Sequence, residues 1–158
     1  MTKQVDQKEM IDKVRAAIKD RATWLALLVR SFKEAFPEKE VERLARKAIF
    51  EFGRMKAKND PQEFSPAAWV EKHVSKGSSL VFDSDVEIND KGAVQRMKFC
   101  ALVEAWKEMG CTPQEIDLFC DIAMEGDRGR ADAHGVRMEL EERIGRGDLF
   151  CNLKIFNR

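Results

Sequence analysis

At Gly77-Ser78-Ser79 the spacing of apolar residues changes, and this change constrains the fold more than any other feature of the chain. Before it, apolar residues recur every three or four positions, the period of an amphipathic helix. After it they begin to alternate, the period of a strand. Helices followed by strands mixed with helices specify an α+β protein. N-terminal helices should pack on a small antiparallel sheet that ends in a C-terminal hairpin. A chain of 158 residues is long enough for one domain with its own core. The expected organisation is a single domain over 1–158, with a helical part over 1–76 and a strand-and-helix part over 79–158.

The helical part contains three segments. Ile11, Val14, Ile18, Leu25, Leu28, Phe32 and Phe36, with Ala22 and Val29 filling in, predict one long amphipathic helix that ends near Phe36. Pro37 resists its continuation. Val41, Leu44, Ala48, Phe52 and Met55 predict a second helix, closed by Asn59-Asp60-Pro61. Gly53 weakens that helix by roughly 1 kcal/mol against Ala, so it marks a close approach to a neighbouring helix. Ser65 as N-cap, Pro66 as first helical residue and Gly77 as C-terminal cap bound a short third helix, whose apolar face is Trp69, Val70 and Val74. Trp24, Trp69 and Trp106 fall at helical spacing with other apolar residues and read as core.

Beyond the switch, Leu80 to Ile88 and Ala93 to Phe99 flank the turn signal Asn89-Asp90-Lys91-Gly92 and predict a hairpin. From Cys100 to Met109 the period is helical again, with Gly110 as terminator. Thr112-Pro113-Gln114-Glu115 is a capping box that opens a helix carrying Ile116, Phe119, Cys120 and Ala123. That helix is expected to end near Gly126, followed by a polar loop at Asp127 to Gly129. Val136, Met138 and Leu140 alternate with charged residues. After the turn Gly145-Arg146-Gly147-Asp148, the return strand sets Cys151, Leu153 and Ile155 on one face.

Charge excludes some function classes. Lys and Arg number 28 and so do Asp and Glu, and the two signs are interleaved along helical faces. No basic run suits nucleic acid, so no nucleic-acid partner is expected. The N-terminus MTKQVDQKEMIDK is too polar for a signal peptide, and the apolar run Trp24 to Val29 is too short to span a bilayer. The expected location is the cytoplasm, with no membrane partner. The four cysteines contain no CxxC pair, so no metal and no cofactor are expected, and each thiol in isolation reads as a small buried hydrophobe. The wide apolar face from Met10 to Phe36 could pair two copies as a homodimer.

Cys100 with Trp106 and Gly110, then Phe119-Cys120-Asp121, then an alternating strand, Gly147-Asp148 and Cys151, occur in an order that resembles the L-2-amino-thiazoline-4-carboxylic acid hydrolase family. The helix Ala48-Ile49-Phe50-Glu51-Phe52-Gly53 also fits, so the resemblance covers nearly the whole chain. The chain is also similar, more distantly, to vinyl-reductase-like small-molecule-binding domains, which end in a comparable Gly-x-x-Cys hairpin. One departure is Arg130-Ala131-Asp132-Ala133-His134, where the family pattern carries an aromatic residue or an Asn-Pro pair.

The resemblance implies a hydrolase-like domain that opens a small cyclic amidine at its carbon–nitrogen bond. The C=N carbon of such a ring is electrophilic, and either a thiolate or an activated water could attack it. In that reading Cys120 is the nucleophile, Asp121 orients or takes protons, and His134 is the general acid or base. Cys100 and Cys151 line the pocket from adjoining strand ends, and Arg128, Arg130 or Arg137 meets a substrate carboxylate. The alternative is a sensor module that binds a small molecule without changing it.

Overall fold

The computed structural model describes residues 6–75 and 77–157. The polar stretch Met1–Val5 and the final Arg158 lie outside the described residues, as does Lys76. Six helices and four strands are described: α1 (Gln7–Ala35), α2 (Glu38–Ala57), α3 (Pro66–Ser75), α4 (Ser78–Val81), β1 (Ser84–Asn89), β2 (Gly92–Met97), α5 (Ala101–Glu108), α6 (Pro113–Ala133), β3 (Arg137–Glu139) and β4 (Cys151–Phe156). A 3-10 turn, Ile144–Arg146, lies between β3 and β4.

The architecture is α+β. The strands form an antiparallel sheet in the order β1-β2-β4-β3. β1 and β2 make the expected hairpin across Asn89 and Gly92, where the Asn89 side chain accepts hydrogen bonds from the amides of Lys91 and Gly92. β4 lies between β2 and β3, with Met97 opposite Cys151 and Glu139 opposite Lys154. Cys151, Leu153 and Ile155 are buried, as their alternation predicts.

Two apolar clusters hold the chain. In the first, Ala22, Ala26 and Val29 of α1 meet Leu102, Val103 and Trp106 of α5 and Ile116, Phe119 and Cys120 of α6. Trp106 donates its indole N–H to the Ala22 carbonyl at 2.9 Å, so its one polar atom is satisfied in the core. In the second, Trp69 and Val70 of α3 pack with Ala93, Ala131, Val136, Leu153 and Ile155. The side chain of Val74 lies outside the described residues.

α2 and α6 cross with their backbones in near contact. A Cβ built on Gly53 would lie 1.9 Å from the Gly126 carbonyl oxygen, and one on Gly129 would lie 2.0 Å from that of Phe50. The expectation that Gly53 marks a helix crossing is met, and the partner is α6.

Four expectations need correction. α6 does not stop near Gly126. It runs through Asp127–Gly129 and the Arg130 to Ala133 segment, with His134 as its C-cap, because Gly129, with Gly53 of α2, lets it lie on α2. Leu80 belongs to α4 rather than to the first strand. The turn between β3 and β4 is not tight, since the connection over 140–150 includes the 3-10 turn. Trp24 is not core: it is 72% exposed, and Val14, Leu28, Phe32 and Phe36 are exposed with it. The cause is that α1 buries its small residues, Ala22 and Ala26, to come close to α5 and leaves its large ones outside.

Candidate functional site

Cys120 and Cys151 meet at the 3-10 turn around Gly145, and Cys100 lies near enough to act on both electrostatically. Cys100 directly precedes α5 as its N-cap, Cys120 faces inward from the first half of α6, and Cys151 opens β4. A Cβ built on Gly145 would lie 2.4 Å from the Cys120 Cβ and 2.7 Å from its Sγ, so the turn rests directly on that side chain. The Ile144 amide donates to the Cys151 Sγ at 3.2 Å, and the Gly145 amide donates to Cys120. At the start of α5, the amides of Val103 and Leu102 point at Cys100. Each sulfur is thus met by backbone donors that favour the anion.

Burial opposes those donors and prevails. It pushes the Cys120 thiol up to about 12, with Cys100 and Cys151 adding like-charge repulsion. Cys151 is pushed up to about 11 by burial and by Cys100, and Cys100 is raised mainly by burial. Arg143 is the cation that works the other way on both Cys120 and Cys151. Cys111 stands apart: its Sγ receives a hydrogen bond from Arg30 Nη2 at 3.2 Å.

Asp121 follows Cys120 on α6 and turns toward a cluster of guanidiniums. Arg46 of α2 donates to it at 2.7 Å, Arg128 at 2.7 Å and Arg143 at 2.6 Å. Burial raises its pKa, but Arg128, Arg46 and Arg143 outweigh burial and bring the carboxyl down to about 2. Arg143 also holds Asp117 through Nε at 3.0 Å and Nη2 at 2.7 Å, a single-oxygen contact from two donors. Glu42 and Glu125 complete the network on Arg46 and Arg128. Arg143 therefore joins the carboxylates of α6 to the thiols.

His134 and Arg130 lie at the other end of α6. Both converge on Asp60, just after α2, which is 2% exposed at its side chain. Arg130 donates from Nε at 2.7 Å and Nη2 at 3.1 Å; His134 Nε2 lies 2.8 Å from Asp60 Oδ2, and Lys72 also reaches the carboxylate. Phe64 stacks on the His134 ring at 3.8 Å, and Arg130 sits over the Trp69 ring at 4.3 Å. Burial raises the Asp60 pKa, but Arg130, Lys72 and His134 hold it well below the usual carboxylate range.

The geometry sorts the residues singled out from sequence. Cys100, Cys120 and Cys151 are together, with Asp121 beside them. His134 is not with them: fourteen helical positions after Cys120 correspond to about 21 Å of rise. Arg130 is buried against Asp60, and Arg137 is an exposed residue of β3 that pairs with Glu139 and covers the Phe156 ring. Sequence reading missed Arg143, Arg46, Asp117 and Asp60. The contacts of Arg143 and Arg46 with Asp121 and of Asp60 with Arg130 span 22 to 75 positions, and no periodicity marks such pairs. Asp60 carried only a helix-stop signal.

Among the described residues no group of three or more His, Cys, Asp or Glu side chains could hold a metal ion. No described helix is long and apolar enough to cross a membrane. The model of one protein family, described as L-2-amino-thiazoline-4-carboxylic acid hydrolase, matches residues 8–155. No curated protein and no solved structure matches the chain.

Proposed function

The chain belongs to the L-2-amino-thiazoline-4-carboxylic acid hydrolase family, and from that premise we propose that it opens a small cyclic carbon–nitrogen substrate at the cluster of Cys100, Cys120 and Cys151. The observation that carries this reading is the grouping of three thiols from three separate elements, with Gly145 resting on Cys120 and the Ile144 amide donating to Cys151.

Cys120 is the nucleophile in this reading. Its Sγ bonds to the C=N carbon of the ring while the thiol proton passes to the ring nitrogen, so the π bond becomes a C–N single bond. Collapse of the adduct breaks the ring carbon–nitrogen bond: the ring nitrogen leaves as an amine, taking a proton from the exocyclic amino group, which becomes C=NH. Water then adds to that carbon, and Sγ leaves with a proton as the restored thiol. A neutral buried thiol suits a basic amidine, because the substrate accepts the proton that no protein base is placed to take. Asp121 is not that base: three guanidiniums hold it ionised and occupied. Its role is to fix Arg143 beside the thiols, where the guanidinium works against the burial that raises them. Cys100 and Cys151 line the pocket. Arg130 and His134 close the buried Asp60 and serve the fold, and Arg137 has no part in the reaction. The work takes place in the cytoplasm, on a small molecule, without cofactor, metal or nucleic acid.

The test is ring opening of L-2-aminothiazoline-4-carboxylate by the purified chain. Because the neutral thiol is the reacting form and burial keeps it protonated, log kcat/KM should show no rise from thiol ionisation between neutrality and about pH 10. Cys120→Ala should lose at least about 10³ in kcat/KM, and Cys111→Ala should keep it. The binding-only reading is favoured by the same raised thiols and by the fully engaged Asp121. Thermal stabilisation by the ring carboxylate with no product formed would establish it and end the catalytic reading.

A further inference from the structure

The outward face of α1 carries a second pattern that the fold does not use. Met10, Val14, Ala17, Arg21, Trp24, Leu28 and Ser31 follow one another at spacings of four and three. That is an a/d heptad seam, and every one of these residues is exposed. Trp24 is 72% and Leu28 52% exposed. The inward face is on the other side. Arg15 donates to the Val81 carbonyl, Lys19 pairs with Glu108, and Ala22, Ala26, Val29 and Arg30 meet α5 and α6. The seam is thus independent of the packing that holds α1 in place, and it runs about 30 Å along the helix.

We propose that this seam pairs with the same seam of a second copy of the chain, with the two α1 helices antiparallel. The pattern is self-complementary about the midpoint between Arg21 and Trp24. In the antiparallel register Arg21 of each copy lies across Trp24 of the other, a cation over an indole face, and beside Asp20 of the other. Ala17 meets Leu28, small against large, and Val14 meets Ser31. At the flanks Lys13 of each copy meets Glu34 of the other. A two-fold contact requires this exchange, in which residue i touches j and j touches i. A parallel pairing would instead set Arg21 against Arg21 in the middle of the seam. Lys13 now pairs with Glu9 at 2.7 Å on an exposed surface, a weak contact that the dimer can replace.

The inference does not depend on the proposed reaction, and its test reads only mass. Sedimentation velocity on the full chain should give a dimer of two 18.1 kDa copies at micromolar to millimolar concentration. Trp24→Glu, at a site 72% exposed, should give the 18.1 kDa monomer with an unchanged circular dichroism spectrum. Lys13→Glu and Glu34→Lys should each weaken the dimer several-fold, and the two changes in one chain should restore it. A monomer up to about 1 mM overturns the proposal and leaves the seam to a foreign helix or a lipid surface. A dimer indifferent to Trp24→Glu overturns it too. A double charge swap weaker than either single change overturns the antiparallel arrangement.

Discussion

Gly145 decides the shape of the thiol cluster because it is the one residue there with no side chain to spare. The turn lies so close to Cys120 that a methyl group on Gly145 would sit 2.4 Å from the cysteine Cβ. Cys120 is fixed on α6 and cannot yield, so in Gly145→Ala the turn must lift. Lifting it withdraws the Ile144 and Gly145 amides from Cys151 and Cys120. We expect this variant to lose about 1–3 kcal/mol in urea denaturation, the usual range for overpacking. We also expect Cys120 and Cys151 to become alkylatable. In the parent protein the thiolate is the reactive form, and a thiol at about 12 holds about a thousandfold less of it at neutral pH than one at 9.0. Site-resolved iodoacetamide labelling at pH 7.5 should therefore mark Cys111 first and Cys120 later than Cys151. Rapid labelling of Cys120 in the folded protein would remove burial as the controlling force at this site. These cysteines were visible in the sequence one at a time, each on the apolar face of a periodic segment. Their meeting was not, because it depends on the 3-10 turn folding back over α6, and Gly145 looked like an ordinary turn residue.

The α2 and α6 pair is where backbone contact sets the arrangement of the elements. Gly53 and Gly129 each face a carbonyl of the other helix at a distance no Cβ could occupy. Either Gly53→Ala or Gly129→Ala must push the helices apart along their length. The shift also draws Arg46 of α2 away from Asp121 and Asp60 away from Arg130. We expect each variant to cost about 3 kcal/mol or more, above the roughly 1 kcal/mol that alanine returns through helix propensity. Chemical denaturation checks this, and a neutral or stabilised Gly53→Ala would contradict the crossing. The contact explains which elements were legible. α1, α2 and α3 announce themselves by period, and the capping box of α6 fixes its start. The far end of α6 was illegible because two glycines in a polar stretch look like a loop. Only the neighbouring helix makes Gly129 favourable there. The same rule misdirects the reading of α1, where the buried face is built of alanines and the large apolar residues lie outside.

At the scale of the whole molecule, ionisation brackets the stability from two sides. Asp121 and Glu115 are both held at about 2 in the folded chain, Asp121 by its guanidiniums against burial and Glu115 chiefly by Arg30. Their folded pKa values lie below the unfolded values, so the stability they contribute is present above about pH 4.5 and is lost as pH falls toward 2. Asp60 is lowered as well and adds to the same acid limb. The thiols act in the opposite sense. Cys120 at about 12 and Cys151 at about 11 ionise later in the folded chain than unfolded, where the value is near 9.0. Their contribution is complete below pH 9 and is lost as pH rises through 11 and 12, because the unfolded chain then releases protons that the folded one retains. Urea midpoints should accordingly be level from about pH 5 to 8.5 and fall on either side. Cys120→Ala separates the two limbs. It should lower the plateau through lost packing, leave the acid limb unchanged and flatten the fall above pH 9. An alkaline limb of undiminished slope in that variant would place the titration in other groups and detach it from the thiol cluster.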